Sequence, residues 1–295
     1  MQVVLGLGKT GIAVSRFLLE QKEKVLAIDD YLKEEQIPRD IAESERFEFL
    51  SSSDFLQTDF SSISEVITSP GIPPTHPALR ALEERRIPVI SEIELATRFI
   101  SFPLIGITGS CGKSTVVFWT KQILERAGWS VFVGGNWGYP LIESLSAREK
   151  FDWGIVELSS FQLSRIKKAH FSVAVVLNLF PNHLDYHSTI ENYFQAKARI
   201  FENQRRDDFA IINFSLSDWS TRFSRLVKSQ LVPVARDKKL TEGFYISGNE
   251  VFQGEKALFP LSHFSLPGKH QQENLLAAIS IALLLGIEDK IVEEA

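Results

Sequence analysis

Cysteine and methionine are almost missing from this chain, which has one of each in 295 residues. A lone thiol, Cys111, can close no internal disulfide and build no cysteine-rich zinc site, so a reducing compartment is its natural setting. Long apolar runs are missing too. The longest, Leu275 to Leu285, has about eleven residues with Ser280 inside it, against the roughly 20 that cross a bilayer. A buried helix is the better reading, and no membrane insertion is expected. Positive charge is not in surplus: 32 Lys and Arg stand against 37 Asp and Glu, a net charge of −5, which leaves no electrostatic footprint for nucleic acid. The first residues lack the basic, apolar and small-residue regions of a secretion signal, so a cytoplasmic location is expected. Neither low-complexity stretches nor repeats of about 20 to 50 residues are visible.

What is present suits a globular chain, with 44% hydrophobic and 23% charged residues. At about 150 residues per domain, the length predicts two domains. The most informative segment is Thr108-Gly109-Ser110-Cys111-Gly112-Lys113-Ser114-Thr115, set between an apolar run ending at Ile107 and the helix-like Val116-Val117-Phe118-Trp119. Strand, glycine-rich turn and helix in that order form a phosphate cradle. Backbone N–H groups and the positive helix end face phosphate oxygens, Lys113 reaches the terminal phosphates, and a hydroxyl beside it can hold Mg²⁺.

A second glycine turn, Gly6-Leu7-Gly8-Lys9-Thr10-Gly11, follows Val3-Val4-Leu5 and leads into a helix, a strand Val25 to Ile28, and Asp29 and Asp30. This is the βαβ dinucleotide fingerprint. Its ligand stays open between NAD, flavin, a UDP group and none. The run Val66-Ile67-Thr68-Ser69-Pro70-Gly71-Ile72 ends a strand in a proline-rich turn, either a ligand-binding edge or simply a rigid loop. A first domain is read over residues 1–93 and a second over 94–295. In the second, strands at Trp153 to Glu157, Val173 to Leu177 and Phe209 to Ile212 alternate with helices near Thr115 to Ala127, Ile190 to Phe201 and Asn274 to Leu285. The fold class is α/β, with a mostly parallel sheet.

Four further features share the second region: Gly134-Gly135-Asn136, the string Glu157-Leu158-Ser159-Ser160-Phe161-Gln162-Leu163, the segment Asn178 to His187, and Lys197. Together with the phosphate loop and Thr68 to Ile72 they resemble the Mur ligases. The string from Glu157 is most like the members that add D-glutamate to UDP-N-acetylmuramoyl-L-alanine. The resemblance implies a Rossmann-like N-terminal domain that binds the UDP substrate and a central P-loop ATPase domain. The family's third, C-terminal domain has no counterpart here, so weak nucleotide binding and impaired turnover are expected of these two domains. A monomer is expected.

The resemblance also implies site roles. Gly8, Lys9, Thr10 and Gly11 would cradle the diphosphate, Asp29 or Asp30 would lie near the uracil, and Ser69, Pro70 and Gly71 would line the pocket. ATP would sit on Gly109, Ser110, Cys111, Gly112, Lys113, Ser114 and Thr115, with Asn274 at the adenine. Ser114 or Thr115 with Glu157 would hold one Mg²⁺, and Glu157 with His183 a second. Lys197 matches a lysine that relatives carry as a carbamate, while Asn136, Ser159 and Gln162 would touch substrate. The implied reaction is amide formation in peptidoglycan precursor synthesis, supporting cell wall, shape and division: ATP phosphorylates the substrate carboxylate and D-glutamate attacks the acyl phosphate. Two departures stand out. Gln271 follows His270 where relatives generally have asparagine, and Cys111 replaces a common asparagine. His183 as a turn residue, Lys197 as a solvated helix lysine, Cys111 as a small loop filler, and a non-catalytic nucleotide-sugar-binding or regulatory protein remain the competing readings.

Overall fold

In the computed structural model, which describes residues 1–215, 218–261 and 268–295, the chain forms two units. The first comprises Met1–Ile100 with Pro140–Ala147 and Ser164–Ala169; the second comprises Ser101–Tyr139, Arg148–Leu163 and His170–Ala295.

Short apolar runs make the first unit's sheet. Strands β1 (Gln2–Leu5), β2 (Val25–Ile28), β3 (Phe47–Leu50), β4 (Glu65–Thr68) and β5 (Val89–Ser91) are all parallel and lie in the order β3-β2-β1-β4-β5. Continuous burial of Val25 to Ile28 marks a strand covered on both faces, as expected where helices flank a parallel sheet. Its core joins Val3, Leu5, Leu26 and Ile28 to Phe55, Leu79 and Leu82. The order is that of a Rossmann-like sheet. Because β1 has β2 on one side and β4 on the other, the strand order reverses there, and a crevice opens at the carboxyl ends of these strands.

The unit reaches past residue 93. The helix Glu92–Ala96 is buried along its length, so hydrophobic burial keeps it with this sheet. It also carries two buried carboxylates. Glu94 Oε2 accepts the backbone N–H groups of Lys167, Lys168 and Ala169 at 2.7, 2.8 and 2.9 Å. Glu92 Oε1 accepts Ile142 N–H at 2.6 Å. These bonds tie the two sequence-distant segments to the first unit.

Among the described residues the second unit's sheet has nine strands: β6 (Leu104–Thr108), β7 (Val131–Gly135), β8 (Trp153–Glu157), β9 (Val173–Val176), β10 (Phe209–Asn213), β11 (Gln230–Arg236), β12 (Phe244–Ser247), β13 (Glu250–Gln253) and β14 (Lys256–Pro260). They lie in the order β14-β13-β12-β11-β10-β9-β6-β8-β7. Pairing is parallel from β7 to β12 and antiparallel at β12–β13 and β13–β14. Sequence reading does not extend to this antiparallel end, although Gly248-Asn249, the two residues between β12 and β13, are a hairpin signal.

The helix Lys113–Arg126 packs on the helix Lys269–Leu284. The second of these buries every residue from Asn274 to Ala282, which explains the apolar run seen in sequence. Helix starts come earlier than the sequence suggests, at Lys113 and Lys269 instead of Thr115 and Asn274. In each case the polar first turn continues the backbone ladder although its side chains carry no apolar signal. Again β6 stands between strands reached by opposite crossovers, β8 and β9, so the turn after β6 lies at a crevice.

Candidate functional site

The phosphate-loop residues begin where β6 ends, with Thr108 and Gly109 fully enclosed and Ser110 and Cys111 turning outward. Asn178, just beyond β9, braces the turn. Its Oδ1 accepts Ser110 N–H at 2.9 Å and Cys111 N–H at 3.1 Å, and its Nδ2 donates to Cys111 O at 3.1 Å. Gly112 has φ +84°, and a Cβ there would lie 2.4 Å from Asn274 Oδ1. Only glycine fits. Asn274 therefore packs its amide directly against the loop, a contact distinct from the adenine role implied by resemblance.

Lys113 opens the helix, and its Nζ curls back to donate to Gly109 O at 3.0 Å and Ser110 O at 3.4 Å. Ser114 Oγ donates to Glu157 Oε2 at 2.7 Å, while Asn136 Nδ2 donates to Glu157 Oε1 at 2.7 Å. Glu157 ends β8 and is 2% exposed, so its carboxylate depends on these donors. Thr115 is half-buried on the following helical position.

Lys197 is the largest surprise to a reader of sequence alone. It sits on the helix Ile190–Ala198 with 1% exposure, its Nζ donating to Thr108 Oγ1 at 3.2 Å and Gly109 O at 3.0 Å. Burial, then the nearby Lys113 charge, pull its pKa down to about 7, against an opposing pull from Glu157. A solvated surface lysine is thereby excluded.

His183 has φ +52° and an exposed backbone turn, with its ring centroid 4.9 Å from that of Phe161 and 6.5 Å from that of Tyr193. The buried His187 bonds Ser160 Oγ through Nε2 at 2.9 Å and stacks on Phe161, and burial lowers its pKa to about 4. Gln162 Oε1 accepts Ser159 N–H and Oγ–H, both at 3.0 Å. These two side chains thus brace their own turn. Cys111 is exposed, with its Sγ 3.7 Å from Asn178 Oδ1.

In the first unit, Gly11 lies so near Gly6 O that a Cβ would stand 1.9 Å away. The turn from Gly6 to Thr10 thus runs tight into the helix Lys9–Glu20, whose N-cap is Gly8. Asp29 is committed to the local backbone, its Oδ2 accepting Leu7 N–H at 2.7 Å and its Oδ1 accepting Tyr31 and Leu32 N–H at 2.8 and 2.9 Å. Asp30 instead accepts Ser52 N–H at 2.7 Å and faces His76 Nε2 at 3.4 Å. Ser69 donates to Gly6 O at 2.8 Å, joining the two turns, while Pro70 and Gly71 form the outer bend.

Ser114, Glu157 and Asn136 are thus brought into direct contact, and Lys113 and Lys197 share Gly109 O. Tyr193 lies between Ser110, Lys197 and His183. Sequence reading gave no role of their own to Asn178, Tyr193 and His76. Tyr193 and Lys197, four apart on one helix, share a face, which was the available signal for the first of them. Among the described residues no three His, Cys, Asp or Glu side chains gather around a common point. A Mg²⁺ ion, which keeps several waters and phosphate oxygens, fits the Ser114 and Glu157 oxygens better than a metal needing an all-protein cage.

A glycine turn beside a buried acid, a part-buried lysine and a buried lysine, at the switch point of a parallel sheet, is the arrangement of a phosphate loop. Residues 107–282 match the Mur ligase middle domain and residues 1–91 the Mur ligase MurD-like N-terminal domain, so the chain belongs to the Mur ligase family. It is 38% identical over 290 residues to the UDP-N-acetylmuramoylalanine--D-glutamate ligase of Trichlorobacter lovleyi, covering 97% of this chain and 64% of that protein. The protein of the same name from Pelobacter propionicus is 39% identical over 292 residues, covering 96% and 64% respectively. This chain therefore spans about 64% of the length of such relatives. Among solved structures, the UDP-N-acetylmuramate:L-alanyl-gamma-D-glutamyl-meso-diaminopimelate ligase from Neisseria meningitides shares the fold at TM-score 0.65 with 13% identity, covering 99% of this chain and 96% of that one. UDP-N-acetylmuramate-alanine ligase MurC from Thermotoga maritima shares it at TM-score 0.54 with 19% identity, covering 99% and 67%.

Proposed function

We propose that this chain supplies the UDP-substrate and ATP sites of an ADP-forming ligase that joins D-glutamate to UDP-N-acetylmuramoyl-L-alanine in peptidoglycan precursor synthesis. The observation that carries the reading is the Glu157 carboxylate held between Ser114 Oγ and Asn136 Nδ2, beside a turn whose Gly109 carbonyl accepts from both Lys113 and Lys197. A free carboxylate acylates amines poorly because oxide is a poor leaving group. Transfer of the ATP γ-phosphoryl group to one carboxylate oxygen releases ADP and makes an acyl phosphate. The D-glutamate amine then attacks the carbonyl carbon, forming the amide, losing a proton and expelling inorganic phosphate.

The protein's work is placement and charge neutralisation. Loop N–H groups and Lys113 face the phosphates once the lysine releases its own loop carbonyls. Ser114 and Glu157 would hold Mg²⁺, which offsets the repulsion between phosphate and carboxylate when bound. A pKa drawn down to about 7 leaves Lys197 partly as the neutral amine, the form that adds CO₂ to give a carbamate and a proton. That carbamate would offer oxygens toward the same metal region as His183. In the first unit, the turn Gly8 to Gly11 offers main-chain donors to a diphosphate beside Ser69, Pro70 and Gly71, and of the two acids that would lie near a uracil Asp29 is held by three backbone N–H groups and Asp30 by Ser52 N–H and His76. No helix among the described residues is long and apolar enough to cross a membrane.

Calorimetric titration of this chain tests the reading. Mg·ATP and UDP-N-acetylmuramoyl-L-alanine should each bind at one site, and Glu157→Gln should remove the Mg²⁺ dependence of ATP binding while leaving the UDP-substrate affinity within about twofold, as expected for loss of one charged oxygen ligand. Phosphate release that requires both the UDP-substrate and D-glutamate marks the enzyme. Binding of both without release marks a nucleotide-sugar-binding protein instead.

A further inference from the structure

Tyr193 is buried to 1% exposure, yet it is the phenol that meets the phosphate loop. Its hydroxyl lies 3.2 Å from Ser110 Oγ, its ring carries Lys197 Nζ 4.7 Å from the centroid, and its edge faces the His183 ring. Ser110 in turn donates to Phe180 O at 3.0 Å and accepts Phe180 N–H at 2.9 Å. A hydroxyl rotor at Ser110 thus sits between the loop backbone and the Tyr193 phenol. Burying a phenol without need for its oxygen would favour phenylalanine, since an enclosed hydroxyl must keep a partner. Here that partner belongs to the nucleotide turn.

We infer that Tyr193 is a positioning residue that couples occupancy of the phosphate loop to the placement of Lys197 and His183. Its two halves do separate jobs. The hydroxyl senses Ser110, whose backbone and side chain must reorganise when phosphate oxygens take up the loop donors. The ring, one helical turn from Lys197 on the same helix face, packs its centroid 4.7 Å from the lysine Nζ and lies beside His183. His187, with its centroid 5.3 Å from that of Tyr193, and Phe161 complete the wall that keeps the ring from swinging away.

The inference rests on the proposed nucleotide site, and the test separates the two. Tyrosine labelled with ¹³C at Cζ gives five resonances, and Tyr193→Phe identifies that of Tyr193 by its loss while the remaining four report an intact fold. In the unaltered chain, saturating Mg·ATP is expected to move the Tyr193 resonance, and Ser110→Ala is expected to reduce that movement by at least half. Tyr193→Phe is expected to weaken Mg·ATP binding about threefold, a loss of one neutral hydrogen bond. A merely structural tyrosine would show neither the nucleotide-induced movement nor its dependence on Ser110. A chain that binds Mg·ATP with a stationary Tyr193 resonance, or a Tyr193→Phe variant that binds as tightly as the parent, overturns the inference alone. Failure of the unaltered chain to bind Mg·ATP overturns both the inference and the nucleotide site on which it rests.

Discussion

The two units carry turns of the same design, strand then glycines then helix, each at the point where strand order reverses, yet the turns differ in what surrounds them. Around the first, Asp29 spends its carboxylate on three backbone N–H groups of its own loops, and no lysine is enclosed. Around the second, a buried acid and a buried amine stand within reach of the turn. A glycine turn with only local partners is a cradle, which binds an anion and leaves it unchanged. The same turn beside enclosed, opposed charges can stabilise charge that moves during a reaction, because low-polarity surroundings strengthen each interaction. In the proposed reading, chemistry is placed by what the sheet brings to the turn and not by the turn itself.

The sharpest way to break the comparison is to close one turn at a time. Gly112→Ala must place a Cβ against Asn274 Oδ1 at φ +84°, and Gly11→Ala must place one against Gly6 O. We expect Gly112→Ala to weaken Mg·ATP at least about tenfold while leaving the UDP-substrate nearly unaffected, and Gly11→Ala to do the reverse, as strain above about 1.4 kcal/mol implies. Titration of both ligands against both variants decides it. Parallel losses of both ligands by either variant would show that the turns are not independent.

A second contrast comes from Glu94, a buried acid of the first unit whose partners are backbone N–H groups and Arg98. Its one oxygen gathers three backbone N–H groups and is buried, so Glu94→Gln replaces a charged acceptor by a neutral one. A loss of about 3 kcal/mol is expected in chemical denaturation, from the difference between charged and neutral hydrogen bonds. Glu157→Gln, where the acid has only two side-chain donors, should cost the fold less. An equal cost would remove the distinction between a structural and a functional buried acid.

A pH dependence, smaller than the loss at Glu94, comes from Glu92. Burial, against the Ile142 N–H bond and with added repulsion from Glu143, raises the Glu92 pKa from 4.5 to about 7. A carboxyl raised in the folded state binds its proton there while the unfolded chain has released it. Stability from this group is therefore full below about pH 4.5 and falls as pH rises to about 7. Glu92→Gln should flatten that slope and stabilise the chain at pH 8 by on the order of 2 kcal/mol. Urea midpoints measured from pH 5 to pH 8 check the sign, and an unchanged slope in the variant would assign it elsewhere.

Much of the site could be read from local sequence. The strand before Gly109, the lysine and hydroxyls after it, and the acid ending the run Trp153 to Glu157 are near one another in sequence or lie at strand ends, where a parallel sheet collects its ligand groups. Less legible were groups whose meaning depends on distant contacts. Lys197 looks like any helix lysine until Thr108 and Gly109 enclose it, and Asn274 does not announce that its amide packs on Gly112. The attachment of Pro140–Ala147 and Ser164–Ala169 to the first unit had no compositional mark, since it rests on backbone donors that every residue carries.

Local sequence by itself determined the parallel α/β architecture and both glycine turns, because apolar period and glycine geometry act over a few neighbouring residues. Tertiary structure alone decided which acid and which amine are buried, which asparagine braces the phosphate loop, and that a tyrosine lies between them. Burial and hydrogen-bond partnership are properties of groups brought together from far along the chain, and their effect on charge exists only once water has been excluded.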